Sequence, residues 1–379
     1  MKAVYLDNAA TTPMLPEVIE VMQQSMQDNF GNPSSTHQFG RKAKAAVETA
    51  RKNIAKYFNV SAREIIFTAG GTEADNLILH NAVVNLKVTR IVTSKIEHHA
   101  VLRTVNYLQK KHNLKVDFVK LDENGSVLLN DLENILRKTN EKTLVSLMYI
   151  NNEIGNILPI NLVTELCKKN KVYFHSDTVQ AIGHYQIDLQ KIPIDFIVAS
   201  AHKFHGPKGV GFMYVKKGIS VQPMFYGGEQ EKGVRSSTEN VHAILGMEKA
   251  LTVSYRNLKE DEAYITGVKK YLIKQLRSSF KDIQFNGASE NIVKSSYTIL
   301  NVRFNVKNKM LLFNLDLQGV AVSGGSACQS GTNKGSHVLS NFLKDEEINY
   351  SSVRFSFSRL TTREEIDYCV EKLNKIVKA

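Results

Sequence analysis

Short runs of β-branched and apolar residues alternate with amphipathic stretches through the first two thirds of the chain. Such runs, when polar turns bound them, predict strands, here over residues 65–68, 91–94, 116–119, 144–150, 172–176, 196–200 and 210–215. Between them, residues 41–58 carry apolar side chains at helical spacing. Strands that alternate with helices predict an α/β protein whose mostly parallel sheet is covered by helices on both sides.

The pattern changes after about residue 250. A long charged helix is predicted over residues 257–280, a strand over 298–304, and a final helix with Ile366, Cys369, Val370 and Leu373 on one apolar face. We therefore expect a smaller α+β domain at the C-terminal end, with its boundary near residue 255.

Composition narrows the class of protein. The chain has 379 residues, of which 42% are hydrophobic and 23% charged, with only 7 prolines, and these figures exclude disordered and collagen-like proteins. The net charge of +12 would suit an anionic partner, which could be a nucleic acid, a phosphate cofactor or an acidic protein. No run of eighteen apolar residues and no signal peptide is visible, so neither export nor a membrane span is expected.

The 3 cysteines lie too far apart for a disulfide framework or a zinc knuckle, which favours a reducing, cytoplasmic setting. Cys167 and Cys369 stand among apolar residues at helical spacing and are interpreted as core. Cys328 stands among glycine and serine residues, from Ser323 to Gly331, and is not core filler. A thiol on a mobile loop suits a nucleophile that delivers its product elsewhere.

Two strand ends carry candidate catalytic groups. Lys203 follows the predicted strand 196–200 and is flanked by hydroxyl and imidazole groups, a setting in which lysine often acts as an amine nucleophile. Asp177 follows the predicted strand 172–176, where a carboxylate could hold a protonated ring nitrogen or could cap a helix.

A third strand end opens a helix with Gly70, Gly71 and Thr72. Backbone amides at a helix N-terminus bind phosphate, and Thr72 adds a hydroxyl donor. The segment is neither a dinucleotide fingerprint nor a P-loop, so taken singly it is a weak signal.

Together these segments resemble the cysteine desulfurases of the NifS and IscS kind, which are pyridoxal 5'-phosphate (PLP) enzymes of the class V aminotransferase group. The resemblance runs nearly end to end. It includes the segments LDNAATTP at 6–13, GNPSS at 31–35, EH at 97–98, NNEIG at 151–155, RSST at 235–238 and RFS at 354–356.

The resemblance implies PLP fold type I. We expect a large cofactor-binding domain over residues 15–255 with a mostly parallel seven-stranded sheet. The smaller α+β domain would comprise residues 1–14 and 256–379 and would carry the mobile cysteine loop at about 321–337.

The resemblance also implies roles for individual residues. The expected cofactor contacts are Gly71, Thr72, His98, Asn152, Asp177, Gln180, Ser200, His202, Lys203 and Thr238. Lys203 would bind the cofactor covalently, Asp177 its ring nitrogen and Gln180 its phenolic oxygen. His98 would stack on the ring and move protons.

Thr72, Ser200 and His202 would hold the phosphate, and Thr238 would reach it from the second subunit of a homodimer. Asn152 and Arg354 would bind the substrate, since the planar fork of arginine grips a carboxylate with two hydrogen bonds. No resident metal is implied, although Cys328 would transiently contact a nascent iron–sulfur cluster.

The implied activity is that of a sulfurtransferase. Sulfur would leave L-cysteine as L-alanine forms, and a persulfide on Cys328 would pass to an acceptor protein for iron–sulfur cluster assembly or tRNA thiolation. Selenocysteine lyase and aminotransferase activities are the nearest alternatives, but neither needs Cys328. Direct binding of nucleic acid is not expected, because the chain shows no nucleic-acid-binding motif and has no tryptophan. A catalytically silent scaffold would leave Lys203, Asp177 and Cys328 unexplained.

Three departures from the usual pattern lie beside the expected site. Ser237 stands where this family commonly has glycine, Gly71 where alanine is common, and His205 where tyrosine is frequent. Because glycine reaches positive φ more easily than serine, Ser237 bears on the backbone geometry of the phosphate contact.

Overall fold

The computed structural model describes residues 3–137, 141–324 and 335–377. The strands are β1 (Val4–Tyr5), β2 (Ile65–Thr68), β3 (Arg90–Thr93), β4 (Lys115–Phe118), β5 (Thr143–Ser146), β6 (Tyr173–Asp177), β7 (Phe196–Ser200), β8 (Gly211–Val215), β9 (Gln284–Phe285), β10 (Ile299–Phe304), β11 (Val320–Ala321) and β12 (Ser351–Ser356). The helices are α1 (Pro16–Asp28), α2 (Gln38–Tyr57), α3 (Gly71–Val84), α4 (His99–His112), α5 (Leu129–Arg137), α6 (Ile160–Lys169), α7 (Val241–Arg256), α8 (Leu258–Ser279), α9 (Leu311–Leu317), α10 (Asp345–Ile348) and α11 (Arg363–Val377).

In the described chain, a seven-stranded sheet has the order β2-β8-β7-β6-β5-β3-β4. The strands are parallel except β8, which runs antiparallel to both of its neighbours. Strands β2, β3, β5, β7 and β8 are buried along their whole length, as expected of a sheet covered on both faces. The predicted α/β fold with a mostly parallel seven-stranded sheet is confirmed.

The parallel strands bring polar residues to one edge. Thr68, Ser146, Asp177 and Ser200 are the last residues of β2, β5, β6 and β7. Ligands of open α/β sheets bind at the carboxyl ends of the strands. This edge is therefore where a functional site is expected.

A second, antiparallel sheet has the order β12-β10-β9. Its apolar face packs with α8 and α11 around Leu272, Phe304, Phe355 and Leu373, all of which are fully buried. The predicted charged helix and the following strand correspond to α8 and β10, whereas β12 was not predicted. The expected domain bounds of 15–255, 1–14 and 256–379 stay predictions.

The N-terminal segment contacts both sheets. Strand β1 pairs in parallel with β11, and Asp7 bridges to Ser356 at the end of β12. A few residues later, the Thr12 amide donates to the His202 carbonyl beyond β7 at 2.8 Å. Residues 6–12 thus run from the smaller sheet to the edge of the larger one. No helix in the described ranges combines the length and the hydropathy needed to cross a bilayer.

Candidate active site

Lys203 lies at the carboxyl edge of the large sheet. It ends a short 3-10 helix, Ala201–Lys203, that directly follows β7. Its Nζ donates to the carbonyls of Ala9 at 2.6 Å and Ala10 at 2.8 Å. The buried Gln180 donates through Nε2 to the same Ala9 carbonyl at 3.0 Å. The structure thus brings Lys203 and Gln180, two residues expected to bind one cofactor, to a single point.

Asp177 is the last residue of β6 and is buried. One of its oxygens, Oδ1, accepts from the Val179 amide at 2.9 Å. Burial raises the pKa of Asp177 to about 6, against the lowering effect of that amide and of the nearby Lys203 ammonium. The carboxylate is therefore ionised at neutral pH. No helix begins at Asp177 in the described chain, so it is not a helix cap; its Oδ1 instead holds the turn that follows the strand.

Several of the residues expected to hold the phosphate lie at the start of α3. Helix α3 begins at Gly71 after Gly70, whose φ of +152° lies in the region that favours glycine, and no side chain caps the helix. Ser200 lies beside this turn, because a Cβ on Gly70 would stand 3.4 Å from the Ser200 Oγ. Thr72 in the first turn is exposed. The uncapped amides and these hydroxyls form a cradle for a phosphate.

His202 borders the same region and is held by the N-terminal segment. Its Nδ1 lies 3.2 Å from the Thr11 Oγ1, and its carbonyl accepts from Thr12. Burial, together with Lys203 and Lys208, lowers the pKa of His202 to about 4. The ring is therefore neutral at neutral pH.

His98 is the N-cap of α4. Its Nδ1 accepts from the Ala100 amide at 3.2 Å, so the neutral ring carries its proton on Nε2. Burial lowers the pKa of His98 to about 4, with smaller contributions from Lys203, His337 and Arg103. His98 and Thr72 line one cavity of about 400 Å³.

Arg354 in β12 is buried and touches three parts of the chain. Its Nη2 donates to the Asp7 Oδ1 at 2.7 Å, and its Nη1 donates to the Asn152 carbonyl at 2.8 Å. Its backbone exchanges two hydrogen bonds with Ser323. Among the described residues, the buried Arg354 Nε and Asn152 Oδ1 have no hydrogen-bond partner. Buried polar atoms normally have partners, so these two are available to a polar ligand.

Thr238 does not line the cavity of Thr72 and His98. It is exposed and lines a separate cavity of about 180 Å³ together with Thr68, Gly209 and Val210. Beside it, Ser237 has a φ of +104°, a region that glycine occupies at lower cost. The departure from glycine noted in the sequence therefore falls on a strained backbone position.

Cys328 lies outside the described residues. Cys167 and Cys369 are both free and buried, in α6 and α11 respectively. Burial raises the pKa of the Cys369 thiol to about 12 and also raises that of Cys167. Neither thiol is available as a nucleophile at neutral pH.

Sequence reasoning missed several polar residues at the site. Asp7 was quoted within a motif but given no role, although it holds Arg354. Asp75 and His175 form a fully buried pair behind Asp177. Asp75 follows the Gly70–Thr72 segment that the sequence marks, whereas nothing in the sequence marks its contact with His175.

The arrangement fits a cofactor with a phosphate, a ring nitrogen and a carbonyl. The uncapped α3 amides suit the phosphate, the ionised Asp177 suits a protonated ring nitrogen, and Lys203 supplies an amine. The unpartnered Arg354 Nε suits the carboxylate of an amino acid beside it, and the unpartnered Asn152 Oδ1 suits the amine of that amino acid. These groups can orient an amino acid and move a proton at its α-carbon.

Comparison with known proteins gives consistent results. The chain matches the family Aminotransferase class-V over residues 4–369. It is 42% identical to the cysteine desulfurase IscS of Clostridium botulinum, covering 100% of this chain and 95% of that protein. It is 40% identical to the putative cysteine desulfurase IscS 1 of Bacillus subtilis, covering 100% of this chain and 99% of that protein.

Solved structures show the same similarity. One of them, described as a NifS-like protein, superposes with a TM-score of 0.90 at 36% identity. The superposition covers 100% of this chain and 100% of that chain. A NifS-like protein from Rickettsia africae superposes with a TM-score of 0.89 at 32% identity, also over both full chains.

Proposed function

The chain belongs to the Aminotransferase class-V family, and from that premise we propose how its residues carry out sulfur removal. The protein is a PLP-dependent cysteine desulfurase, which takes sulfur from L-cysteine and transfers it to an acceptor. The observation that carries the residue assignment is the convergence of Lys203 and Gln180 on the Ala9 carbonyl, at the sheet edge where Asp177 ends β6.

PLP, when bound, supplies an electron sink that stabilises negative charge at the α-carbon of the substrate. Asp177 binds the ring nitrogen and keeps it protonated, which its ionised, buried carboxylate supports. Gln180 binds the phenolic oxygen. Gly71, Thr72, Ser200 and His202 hold the phosphate at the start of α3.

Lys203 and His98 move protons. Lys203 would hold the cofactor covalently, and its amine, when free, would take the α-proton of the substrate. Its Nζ bonds to Ala9 and Ala10 give the side chain a defined alternative position on the N-terminal segment. His98 stacks on the ring, and its Nε2 proton faces away from the Ala100 amide and is available for transfer.

Arg354 and Asn152 bind the substrate. Arg354 binds the α-carboxylate. Its Nη1 and Nη2 already donate to the Asn152 carbonyl and to Asp7, so the main donor to the substrate is the unpartnered Nε. The Asn152 side chain contributes its own unpartnered oxygen to the substrate amine.

Cys328 takes the sulfur. Its thiolate attacks the substrate sulfur, and the carbon–sulfur bond breaks with its electron pair moving to the substrate β-carbon. Protonation of that carbon, together with return of the α-proton from Lys203, leaves L-alanine. The new sulfur–sulfur bond makes Cys328 a persulfide. Only the thiolate is nucleophilic, so the thiol proton must leave first.

Thr238 completes the phosphate cradle from the second subunit of a homodimer. Two observations support this arrangement: Thr238 is exposed, and it does not line the cavity of Thr72 and His98 in its own chain. The exposed aromatic residues Phe225 and Tyr226 belong to the same segment and supply apolar contact area for a second copy.

The acceptor is an iron–sulfur scaffold protein or a tRNA-thiolation carrier. During delivery to a scaffold, Cys328 transiently contacts the nascent iron–sulfur cluster. The compartment is the cytoplasm, since a persulfide-forming thiol works in a reducing setting. Incubation with labelled cysteine and each purified acceptor would show which one receives the label.

Two substitutions test the assignment. Cys328→Ala should leave a cofactor-loaded protein that has lost about three orders of magnitude in sulfide release from L-cysteine, because the nucleophile is gone. Lys203→Ala should abolish the absorbance of the covalently bound cofactor. Cofactor absorbance and sulfide production are the two measurements.

Cys167→Ala is the matched control, since it removes a buried thiol and should retain sulfide release. Full activity of Cys328→Ala would exclude that thiol as the sulfur acceptor. An unchanged cofactor spectrum in Lys203→Ala would exclude that lysine.

A further inference from the structure

A cluster of buried carboxyl groups lies behind the cofactor edge of the large sheet. His175 and Asp177 are two positions apart on β6 and so share one face of the strand. Asp75 reaches this face from α3, and Glu97 reaches it from the loop before α4; both are 1% exposed. Asp177 therefore shares its surroundings with two further buried acids.

Asp75 and His175 face each other directly. The Asp75 Oδ1 and the His175 Nε2 lie 3.3 Å apart, and neither atom has an aligned hydrogen-bond partner within the described ranges. On the other side of the ring, the His175 Nδ1 lies 2.9 Å from the Oγ of Ser146, its register partner on β5. The three side chains form a line from α3 through β6 to β5, entirely inside the protein.

The charges around this line restrict its protonation. Burial raises the pKa of Asp75 well above its usual value, and the neighbouring carboxylates of Asp177 and Glu97 raise it further. Burial lowers the pKa of His175 to about 3 and raises that of Glu97 to about 8. Lys203 is the cation that faces Asp177. Three adjacent buried carboxyls cannot all be ionised at neutral pH, because like charges at short range disfavour each other's ionisation.

We propose that Asp75 is a positioning residue for Asp177. Asp75 holds a proton that it shares with His175, and Asp177 is therefore the anion of this face. The proton of Asp75 lies on the side of the His175 Nε2, which is 3.3 Å from the Asp75 Oδ1, and the His175 Nδ1 donates to the Ser146 Oγ. This line is neutral, so it adds no second negative charge beside Asp177. The proposal rests on the proposed role of Asp177 at the ring nitrogen.

The number of protons released on unfolding tests whether Asp75 is protonated in the folded protein, and it needs neither cofactor nor substrate. In the unfolded chain Asp75 is ionised at about pH 7.5. Unfolding the cofactor-free wild type should therefore release about one proton more than unfolding Asp75→Asn. The count is obtained calorimetrically, from the unfolding enthalpy in buffers of different ionisation enthalpy. Asp282→Asn, at an exposed aspartate, should leave the count unchanged.

A second variant locates the proton. His175→Asn should still release the extra proton, because the proton belongs to Asp75, and an unfolded histidine is mostly neutral at this pH. Loss of the extra proton in both variants would place it on the imidazole and overturn the assignment. Equal counts for wild type and Asp75→Asn would show that Asp75 is ionised and would overturn the proposal altogether.

Infrared spectra of the folded protein serve where unfolding is irreversible. A protonated carboxyl stretch should be present at neutral pH in wild type and His175→Asn and reduced in Asp75→Asn. The link to Asp177 is tested by the pH midpoint of cofactor binding, which should shift by less than about 0.3 units in Asp75→Asn, since one neutral group replaces another. A clear fall in that midpoint would mean that Asp75 carries a charge. Because the proton count needs no cofactor, its outcome does not depend on whether the proposed function holds.

Discussion

At the scale of single residues, Gly71 and Val179 illustrate how tightly the phosphate corner is packed. A Cβ on Gly71 would lie 2.7 Å from the Val179 Cγ2, closer than real Cβ contacts allow. The two residues come from α3 and from the turn after Asp177, both of which surround the expected cofactor. Gly71 stands where this family commonly has alanine, and in this chain the Val179 side chain leaves no room for an alanine methyl at that position.

We expect Gly71→Ala to lower the free energy of unfolding by about 1–3 kcal/mol, because the added methyl overpacks the corner against a stiff β-branched side chain. In a Val179→Ala background the same change should be neutral or stabilising, since alanine favours the first turn of a helix over glycine. Urea unfolding of the four cofactor-free proteins measures the coupling. Equal effects of Gly71→Ala in both backgrounds would contradict the contact.

At the scale of elements, a buried ion pair fixes the segment that carries Thr238. Arg51 on α2 donates to both carboxylate oxygens of Glu231, at 2.6 and 2.7 Å, and also to the Ile65 carbonyl of β2. Glu231 accepts a further bond from the Phe67 amide at 2.9 Å and has a φ of +47°. Helix α2, strand β2 and the turn at Gln230–Gly233 are thereby joined at one point.

Breaking this pair on one side should destabilise the protein. Arg51→Met leaves the Glu231 carboxylate buried without its cation and should lower the free energy of unfolding by about 3–5 kcal/mol. Arg51→Met combined with Glu231→Leu should recover much of the loss, because no uncompensated charge remains. Chemical denaturation provides the comparison, and a double variant as unstable as the single one would refute this explanation.

Elements also show what the sequence could and could not predict. The strands that end at Thr68 and Ser200 are apolar runs, so their positions and those of the candidate site residues after them were visible in the sequence. Strand β12 was not predicted, because its serines and Arg354 interrupt the apolar pattern. Asp75 escaped prediction because its partner lies one hundred positions away, and only the packing of α3 on β6 brings the two together.

At the scale of the whole molecule, a buried lysine joins the smaller sheet to the larger one. Lys269 on α8 is fully buried and donates to the Ser295 Oγ at 2.9 Å and to the Ser296 carbonyl at 2.7 Å. The Ser296 amide in turn donates to the Gly155 carbonyl, in the loop after β5. Burial lowers the pKa of Lys269 to about 7.

This lysine should make the protein more stable as the pH rises. Between about pH 7 and 10 the unfolded chain binds the Lys269 proton and the folded chain does not, so the free energy of unfolding increases with pH. The increment is about 1 kcal/mol per pH unit for one group. Urea unfolding at several pH values should show this slope in wild type and in Lys270→Met, whose lysine is exposed, but not in Lys269→Met. An equal slope in all three proteins would assign the effect to other groups.

The pairing of β1 with β11 has a consequence for synthesis of the chain on the ribosome. Val4 meets Val320, and the residues just after β1 are those whose carbonyls hold Lys203. At about 5–20 residues per second, roughly 15–60 seconds separate the appearance of the two strands. During that interval, β1 has no β11 with which to pair. The sheet edge at Lys203 is therefore completed only late in synthesis, and we expect stable loading of the cofactor to follow translation rather than accompany it.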